Sequence, residues 1–309
     1  MILTVTLNAA LDVTYDVDAI VPHTSHRVRR VHSRAGGKGI NVARVLRITG
    51  HQTTVTGFAG GTTGEFLRAD LAASGLRDEL AAVAGETRRT VTVASSAHGD
   101  ATVFNEPGPL VTAQEWASFR ARFADLAATA HVVVLSGSLP PGVPTDAYAQ
   151  LVADAPRSIT IVDAEGPALA AALPARPGLV KPNAAELAAT TGLPDPLSAA
   201  SSLRDGGAHA VVASLGPDGL LAVTPDGAWR ARPAETVSGN PTGAGDACVA
   251  ALAAGLAAKR AWPDLLRDAV ALSAAAVLAP IAGDVDLDAY RAFRPAVPLE
   301  EIHDAHSDR

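Results

Sequence analysis

The segment HVVVLSG (131–137) is apolar at four successive positions and then breaks at Ser136 and Gly137. A strand that shows apolar side chains to both faces must be covered on both faces, the condition of a parallel sheet between helical layers. SITIVDA (158–164), GLVKPN (178–183) and HAVVASLG (209–216) repeat the pattern, and ILTVTL (2–7) and QTTVTGF (52–58) read as further strands. Helical spacing separates them in INVARVLRITG (40–50), TGEFLRADLAASG (63–75), AQEWASFRARFADLAATA (113–130), DAYAQLVADA (146–155) and AAELAATTG (184–192). Strand and helix alternate along most of the chain, which predicts a doubly wound α/β fold. At 309 residues the chain is long enough for one large core.

Two segments, about 13–34 and 87–105, break the alternation. They carry β-rich sequence such as RRTVTVASS and DATVF with no helix between to cover it. They predict a small β-sheet standing off the main layer as a lid that closes over substrate or serves as a dimer surface. The main domain is expected over 1–300 and a polar tail over 301–309, where His303 and His306 are assigned no role.

Charge and composition remove several function classes. The net charge of −7 argues against a broad nucleic-acid or anionic-membrane surface. The single cysteine, Cys248, excludes an intrachain disulfide framework and suits a reducing compartment. The start MILTVTLNAALDV lacks the basic region of a signal peptide, and AVALSAAAVLAPIAG (269–283) is too short to span a bilayer. A cytoplasmic protein is expected.

Three glycine-bearing stretches compete as phosphate loops. AGGKGINVAR (35–44) has the wrong spacing for a Walker loop, and GFAGGTTG (57–64) does not give the dinucleotide fingerprint, which weakens a dehydrogenase reading. PTGAGDA (241–247) has the compact turn and helix start of an anion site. It also carries an anion of its own, Asp246. A carboxylate there either caps a helix or takes a proton beside an arriving phosphoryl group. Polar residues follow the other strands: Asn8 and Asp12, Ser136 to Ser138, Asp163, Asn183 and Glu186, and Ser214 to Gly216. In open α/β sheets that edge forms a ligand cleft.

TLNAALD, AGGKGINVARVL, TGEFL, NEPGP, SGSLPPGVP, KPNAAEL, SLGPDG and NPTGAGDA, taken in this order, resemble the ribokinase-like (PfkB-type) carbohydrate kinases. Within them the chain is similar to the hexose-phosphate branch, which contains 1-phosphofructokinase and tagatose-6-phosphate kinase. The likeness runs from about residue 3 to about residue 287.

The resemblance implies a ribokinase-like, mostly parallel sheet with a β lid, and ATP-dependent phosphorylation of a sugar hydroxyl with Mg²⁺. Asp246 matches the catalytic base, with Gly243, Ala244 and Gly245 as the anion hole. Asp12, Gly37, Lys38 and Asn41 match sugar-binding positions. Arg88 matches the arginine for the substrate's phosphate, with Lys38, Arg27 and Ser138 as helpers. Lys181, Asn183 and Glu186 match the region that organises Mg²⁺ and the ATP phosphates, through water at Asn183 and Glu186. Ser214, Gly216 and Gly219 would line the nucleotide cleft, with Ser273 near the adenine. Thr90 stands where the family often has Asn, and Ala9 where it often has Pro.

The expected reaction converts fructose 1-phosphate and ATP to fructose 1,6-bisphosphate and ADP. Tagatose 6-phosphate, attacked through its 1-hydroxyl, is the alternative, and fructose 6-phosphate a third candidate. A non-catalytic sugar-phosphate sensor is the reading from another class. A homodimer through the lid is implied by analogy.

Overall fold

In a computed structural model, residues 1–97 and 100–302 are described; the histidine-bearing end, 303–309, lies outside the described residues. The strands are β1 (Ile2–Thr6), β2 (Ala10–Val17), β3 (Arg30–Gly36), β4 (Thr53–Ala59), β5 (Arg77–Asp78), β6 (Ala81–Ala82), β7 (Arg88–Ser95) and β8 (Asp100–Asn105). They continue as β9 (Val132–Ser136), β10 (Ile159–Asp163), β11 (Leu179–Val180), β12 (Val211–Ser214), β13 (Leu220–Thr224), β14 (Gly227–Ala231) and β15 (Leu299–Ile302). The helices are α1 (Lys38–Ile48), α2 (Gly61–Ala73), α3 (Ala113–Ala127), α4 (Ala147–Asp154), α5 (Gly166–Ala172), α6 (Ala184–Thr191), α7 (Pro196–Asp205), α8 (Ala244–Ala257), α9 (Trp262–Val277) and α10 (Leu287–Phe293).

The large sheet runs β15-β14-β13-β12-β11-β10-β9-β1-β4-β5, with β6 also on β4. From β5 to β12 the pairings are parallel. The doubly apolar strands explain the two layers. Val133 and Leu135 of β9 face a core with Phe119, Phe123, Tyr148 and Leu151 from α3 and α4. Val132 and Val134 face a second core with Val42, Leu46, Ala250 and Leu265 from α1, α8 and α9. Truncating a core residue such as Phe123 to Ala would cost about 3–5 kcal/mol.

The parallel alternation stops at β12. Three antiparallel strands, β13 to β15, extend that edge, so the sheet is mixed there. Their first hairpin turns at Thr224-Pro225-Asp226-Gly227, where the Thr224 hydroxyl accepts from the Asp226 amide at 3.1 Å. β15 carries the chain two residues past the boundary expected at 300.

The sheet expected as a lid is a separate four-stranded sheet, β3-β2-β7-β8. It is built from the two expected insertions, the first somewhat longer than predicted because β2 starts at Ala10 and β3 runs to Gly36. β2 lies antiparallel to β3 and parallel to β7. Val31, Val103 and Phe104 are at least half exposed on it. Among the described residues no helix is long and apolar enough to cross a membrane.

Candidate active site

The PTGAGDA turn enters α8 with Gly243 in the left-handed region, φ 90°, a conformation that glycine adopts without strain. A side chain at Gly243 would also strike Ala282, its Cβ coming within 2.8 Å of the Ala282 Cα. The Ala244 amide is used by the turn, donating to the Pro241 carbonyl at 3.2 Å. The Gly243, Gly245 and Asp246 amides have no acceptor among the described residues, so Ala244 drops out of the expected set of free donors and Asp246 enters it. Ser273 of α9 donates to the Ala244 carbonyl at 2.6 Å and braces the turn from behind.

Asp246 sits in the first turn of α8, 7% exposed. Asn41 of α1 donates to its Oδ2 at 2.8 Å. Burial pushes the Asp246 carboxyl up to about 7, helped by the negative Asp163 and opposed by Asn41, Lys38 and Lys181. It is therefore a buried acid poised near neutrality beside free amides, which suits a general base rather than a plain cap.

Asp163, at the end of β10, is the second buried carboxylate. It accepts from the Ser136 hydroxyl at 2.7 Å. The Lys181 ammonium lies 3.2 Å from Oδ1, and that of Lys38 3.7 Å from Oδ2. Burial alone would raise its pKa; the two lysines prevail and hold it below the usual carboxylate range. Burial would likewise lower Lys181, but Asp163 holds it above the ordinary lysine value. The structure thus brings Lys38 and Lys181, which the family resemblance assigns to the sugar and nucleotide ends, onto one carboxylate. Sequence reading noted Asp163 on the strand-end rim without giving it a role. Cys248, two residues further along α8, has its thiol pushed up to about 12 by burial, so it stays a neutral packing residue.

On the lid side, Asp12 of β2 lies over Gly36 of β3, and a Cβ there would fall 1.9 Å from Asp12 Oδ2. Burial raises the Asp12 carboxyl to about 6 against the pull of Arg88, Arg34, Thr90 and Arg44. Arg88 donates from Nε to the Asn8 carbonyl at 3.2 Å, and from Nη1 to Thr90 Oγ1 and the Glu106 carbonyl, each at 3.4 Å. No carboxylate ion-pairs with it among the described residues. Its neighbour Arg44 is paired to Asp70 and Arg34 to Asp284. Arg88 thus has the Asp12 carboxylate as its main opposite charge without a direct ion pair among the described residues. Ser138 accepts from Asn8 Nδ2 at 3.0 Å, which ties the loop after β9 to the loop after β1. Gly37, φ 106°, leads into α1 with no room for a side chain beside Thr6. Arg27 is not brought to this cluster: it is exposed in the connection between β2 and β3, beyond the Asp16–Arg30 pair at the far end of the lid.

A cavity of ≈ 700 Å³ opens on the other side of the anion turn. Asn183, Ser214, Gly216, Gly219, Ala244, Gly245 and Ser273 all line it, together with apolar residues such as Val237 and Val270. Lys181 and Glu186 do not. Asn183 and Glu186 form a reciprocal cap at the start of α6: Asn183 Oδ1 accepts from the Glu186 amide at 2.9 Å, and Glu186 Oε2 from the Asn183 amide at 2.8 Å. Among the described residues no group of three or more His, Cys, Asp or Glu side chains could hold a metal unaided.

Comparison with known proteins shows the family. Residues 5–288 match the model of the pfkB family carbohydrate kinases. Phosphofructokinase-2 from Escherichia coli, solved in complex with potassium, is 33% identical with a TM-score of 0.90, over 95% of this chain and 98% of that one. A putative phosphofructokinase from Staphylococcus aureus is 29% identical, TM-score 0.85, over 98% and 99% of the two chains. A possible 1-phosphofructokinase from Thermotoga maritima is 26% identical, TM-score 0.89, again over 98% and 99%. The sheet, its helical layers and the small separate sheet are those of the ribokinase-like fold. The chain belongs to the pfkB family of carbohydrate kinases and is a sugar phosphotransferase.

Proposed function

We propose that this kinase phosphorylates a ketohexose phosphate with ATP, giving a ketohexose 1,6-bisphosphate and ADP. The observation that carries this reading is Arg88, a partly buried guanidinium without an ion-pair partner among the described residues, on the same lid face as Asp12. A neutral sugar has no use for that charge; a phosphate does. Fructose 1-phosphate is the first choice of substrate, with tagatose 6-phosphate as the alternative. Fructose 6-phosphate gains weight because phosphofructokinase-2 from Escherichia coli, solved in complex with it, is 33% identical to this chain.

Asp12, Asn41, Gly37 and Lys38 hold the sugar, and Asn41 Oδ1, buried without a hydrogen-bond partner, is an acceptor for one of its hydroxyls. Arg88, with Ser138, takes the substrate's phosphate. Asp246 takes the proton of the attacking hydroxyl as its oxygen bonds to the γ-phosphorus and the bond from that phosphorus to ADP breaks. The free amides of the turn receive the charge that develops on the transferred group. The ≈ 700 Å³ cavity beside that turn accepts the nucleotide. Mg²⁺ fits as an ion that arrives with the triphosphate and keeps its waters. Glu186 Oε1, which the helix cap leaves free, and Asn183 Nδ2 would reach it or the phosphates through water. The metal supplies charge neutralisation for the phosphates. The apolar outer face of the lid suits a homodimer, and the chain's composition suits the cytoplasm.

The test is ADP release with ATP and Mg²⁺ on fructose 1-phosphate, tagatose 6-phosphate and fructose 6-phosphate in parallel, with unphosphorylated fructose as control. A preference of at least tenfold in kcat/KM for one phosphosugar is expected, reduced about a hundredfold by Arg88→Gln through KM. Equal turnover of fructose and its phosphates would overturn the reading. Tight phosphosugar binding without ADP release would support the sensor instead.

A further inference from the structure

Arg34 is an arginine of the lid cleft that sequence reading did not single out. The β2–β3 register places it directly opposite Asp12, and the β2–β7 register places Thr90 on the other side of the same carboxylate. Residues two apart on a strand share a face, so Gly36, Arg34, Asp12, Thr90 and Arg88 all belong to one face of the lid. Arg34 is 17% exposed and its Nη2 lies 3.3 Å from Asp284 Oδ1. Asp284 belongs not to the lid but to the connection between α9 and α10. The residues just before it touch the catalytic centre: a Cβ at Gly283 would meet Asn41 Oδ1 at 3.1 Å, and Ala282 packs against Gly243. One short loop therefore touches the residue that holds the base, the cap of the anion turn and the lid.

We propose that Arg34 and Asp284 are a positioning pair for Asp12: Asp284 anchors the Arg34 guanidinium, and Arg34 keeps the Asp12 carboxylate seated over Gly36 in the form that accepts sugar hydroxyls. This rests on the proposed role of Asp12 in binding the sugar. The charged and polar groups that face Asp12 are Arg34 from β3, Arg88 and Thr90 from β7, and Arg44 from α1. Arg88 is the largest opposite charge on Asp12, Arg34 the second and Arg44 the smallest. When phosphate engages Arg88, Arg34, held in place by Asp284, is the largest that remains. Asp12 is already raised to about 6 by burial. Without Arg34 it would take up a proton at a higher pH still, and the carboxyl would present a donor where the sugar needs an acceptor.

The experiment measures calorimetric Kd values for fructose 1-phosphate, with fructose 6-phosphate as a second probe, between pH 5 and pH 8. It uses the Asp246→Asn background, which removes turnover and the titration of the base. The phosphate of the probe titrates in the same range, so each variant is compared with its parent at the same pH. Arg34→Gln is expected to weaken binding about tenfold at pH 6, with the gap closing towards pH 8 as Asp12 ionises without help. Asp284→Asn should do the same to a smaller extent, about threefold, and the double variant should bind no worse than Arg34→Gln. A purely structural role would weaken binding by one factor at every pH, and that result, no loss at all, or full additivity of the two changes would overturn the proposal. Asp284→Asn is isosteric, so it carries the same test if Arg34→Gln fails to fold. Should neither probe bind the parent, the phosphosugar reading itself has failed. Normal binding with a pH-independent Arg34→Gln effect condemns the pair alone.

Discussion

Asp163 and Asp246 are both buried in the same cleft, one at the end of a strand and one in the first turn of a helix, yet they are held in opposite states. Asp163 has two ammonium groups and a serine hydroxyl, and stays charged. Asp246 is raised by burial and the field of Asp163, which outweigh the Asn41 amide and the weaker pull of Lys38 and Lys181, and rises to about 7. Burial is common to both, so it does not decide the outcome. Formal charge in the immediate neighbourhood does. One carboxylate fixes lysines in place; the other is held near neutrality, as the proposed base requires.

The comparison can be broken from either side. The largest effect on stability is expected from Asp163→Ala, which strands the Lys181 ammonium, 5% exposed, without its counter-ion. A loss of about 3–5 kcal/mol, read by denaturant unfolding, is the expected result. Asp246→Asn should do the reverse. Its folded pKa of about 7 exceeds the ordinary 3.8, so between those values the native state binds more protons than the unfolded chain. Stability therefore falls as pH rises through that window, and the full cost is present above pH 7. Removing the charge should stabilise the protein at pH 8 by up to a few kcal/mol and much less at pH 4, measured as thermal midpoints at both values. Asp163, with its depressed pKa, contributes stability that is lost only as pH falls below the usual carboxylate range.

Asn41→Leu sharpens the contrast by removing the hydrogen bond from Asn41 that favours the Asp246 anion. The acid limb of kcat should move upward from about pH 7 and the rate at pH 7 should fall about tenfold, visible in a pH–rate profile. The smallest effect belongs to the lid's outer face. Phe104→Ser, at a side chain more than half exposed, should shift self-association in analytical ultracentrifugation and change kcat by less than about threefold.

The doubly apolar strands made the parallel layer and its helices legible from sequence, because burial on two faces leaves no alternation to misread. The lid was legible for the opposite reason, since its alternating strands lacked helices to cover them. The antiparallel edge was missed although its Pro-Asp-Gly turn was in plain view at 225–227; the strand alternation carried the reading past it. The Asn183–Glu186 spacing was read through the family, and the structure shows the same spacing at work as a helix cap. Asp163 and Arg34 left no spacing signal. Their partners, Lys38 and Lys181 for one and Asp12 and Asp284 for the other, lie on separate elements and meet only when the sheet order and the lid register are set.

The measurement that goes most directly to the centre is single-turnover phosphoryl transfer by Asp246→Asn with ATP, Mg²⁺ and the preferred phosphosugar bound. A fall of about a thousandfold in the transfer rate is expected, with the phosphosugar Kd changed by less than about threefold. A rate within about tenfold of the parent would mean that the proton leaves by another route and that the carboxylate of α8 caps a helix and nothing more.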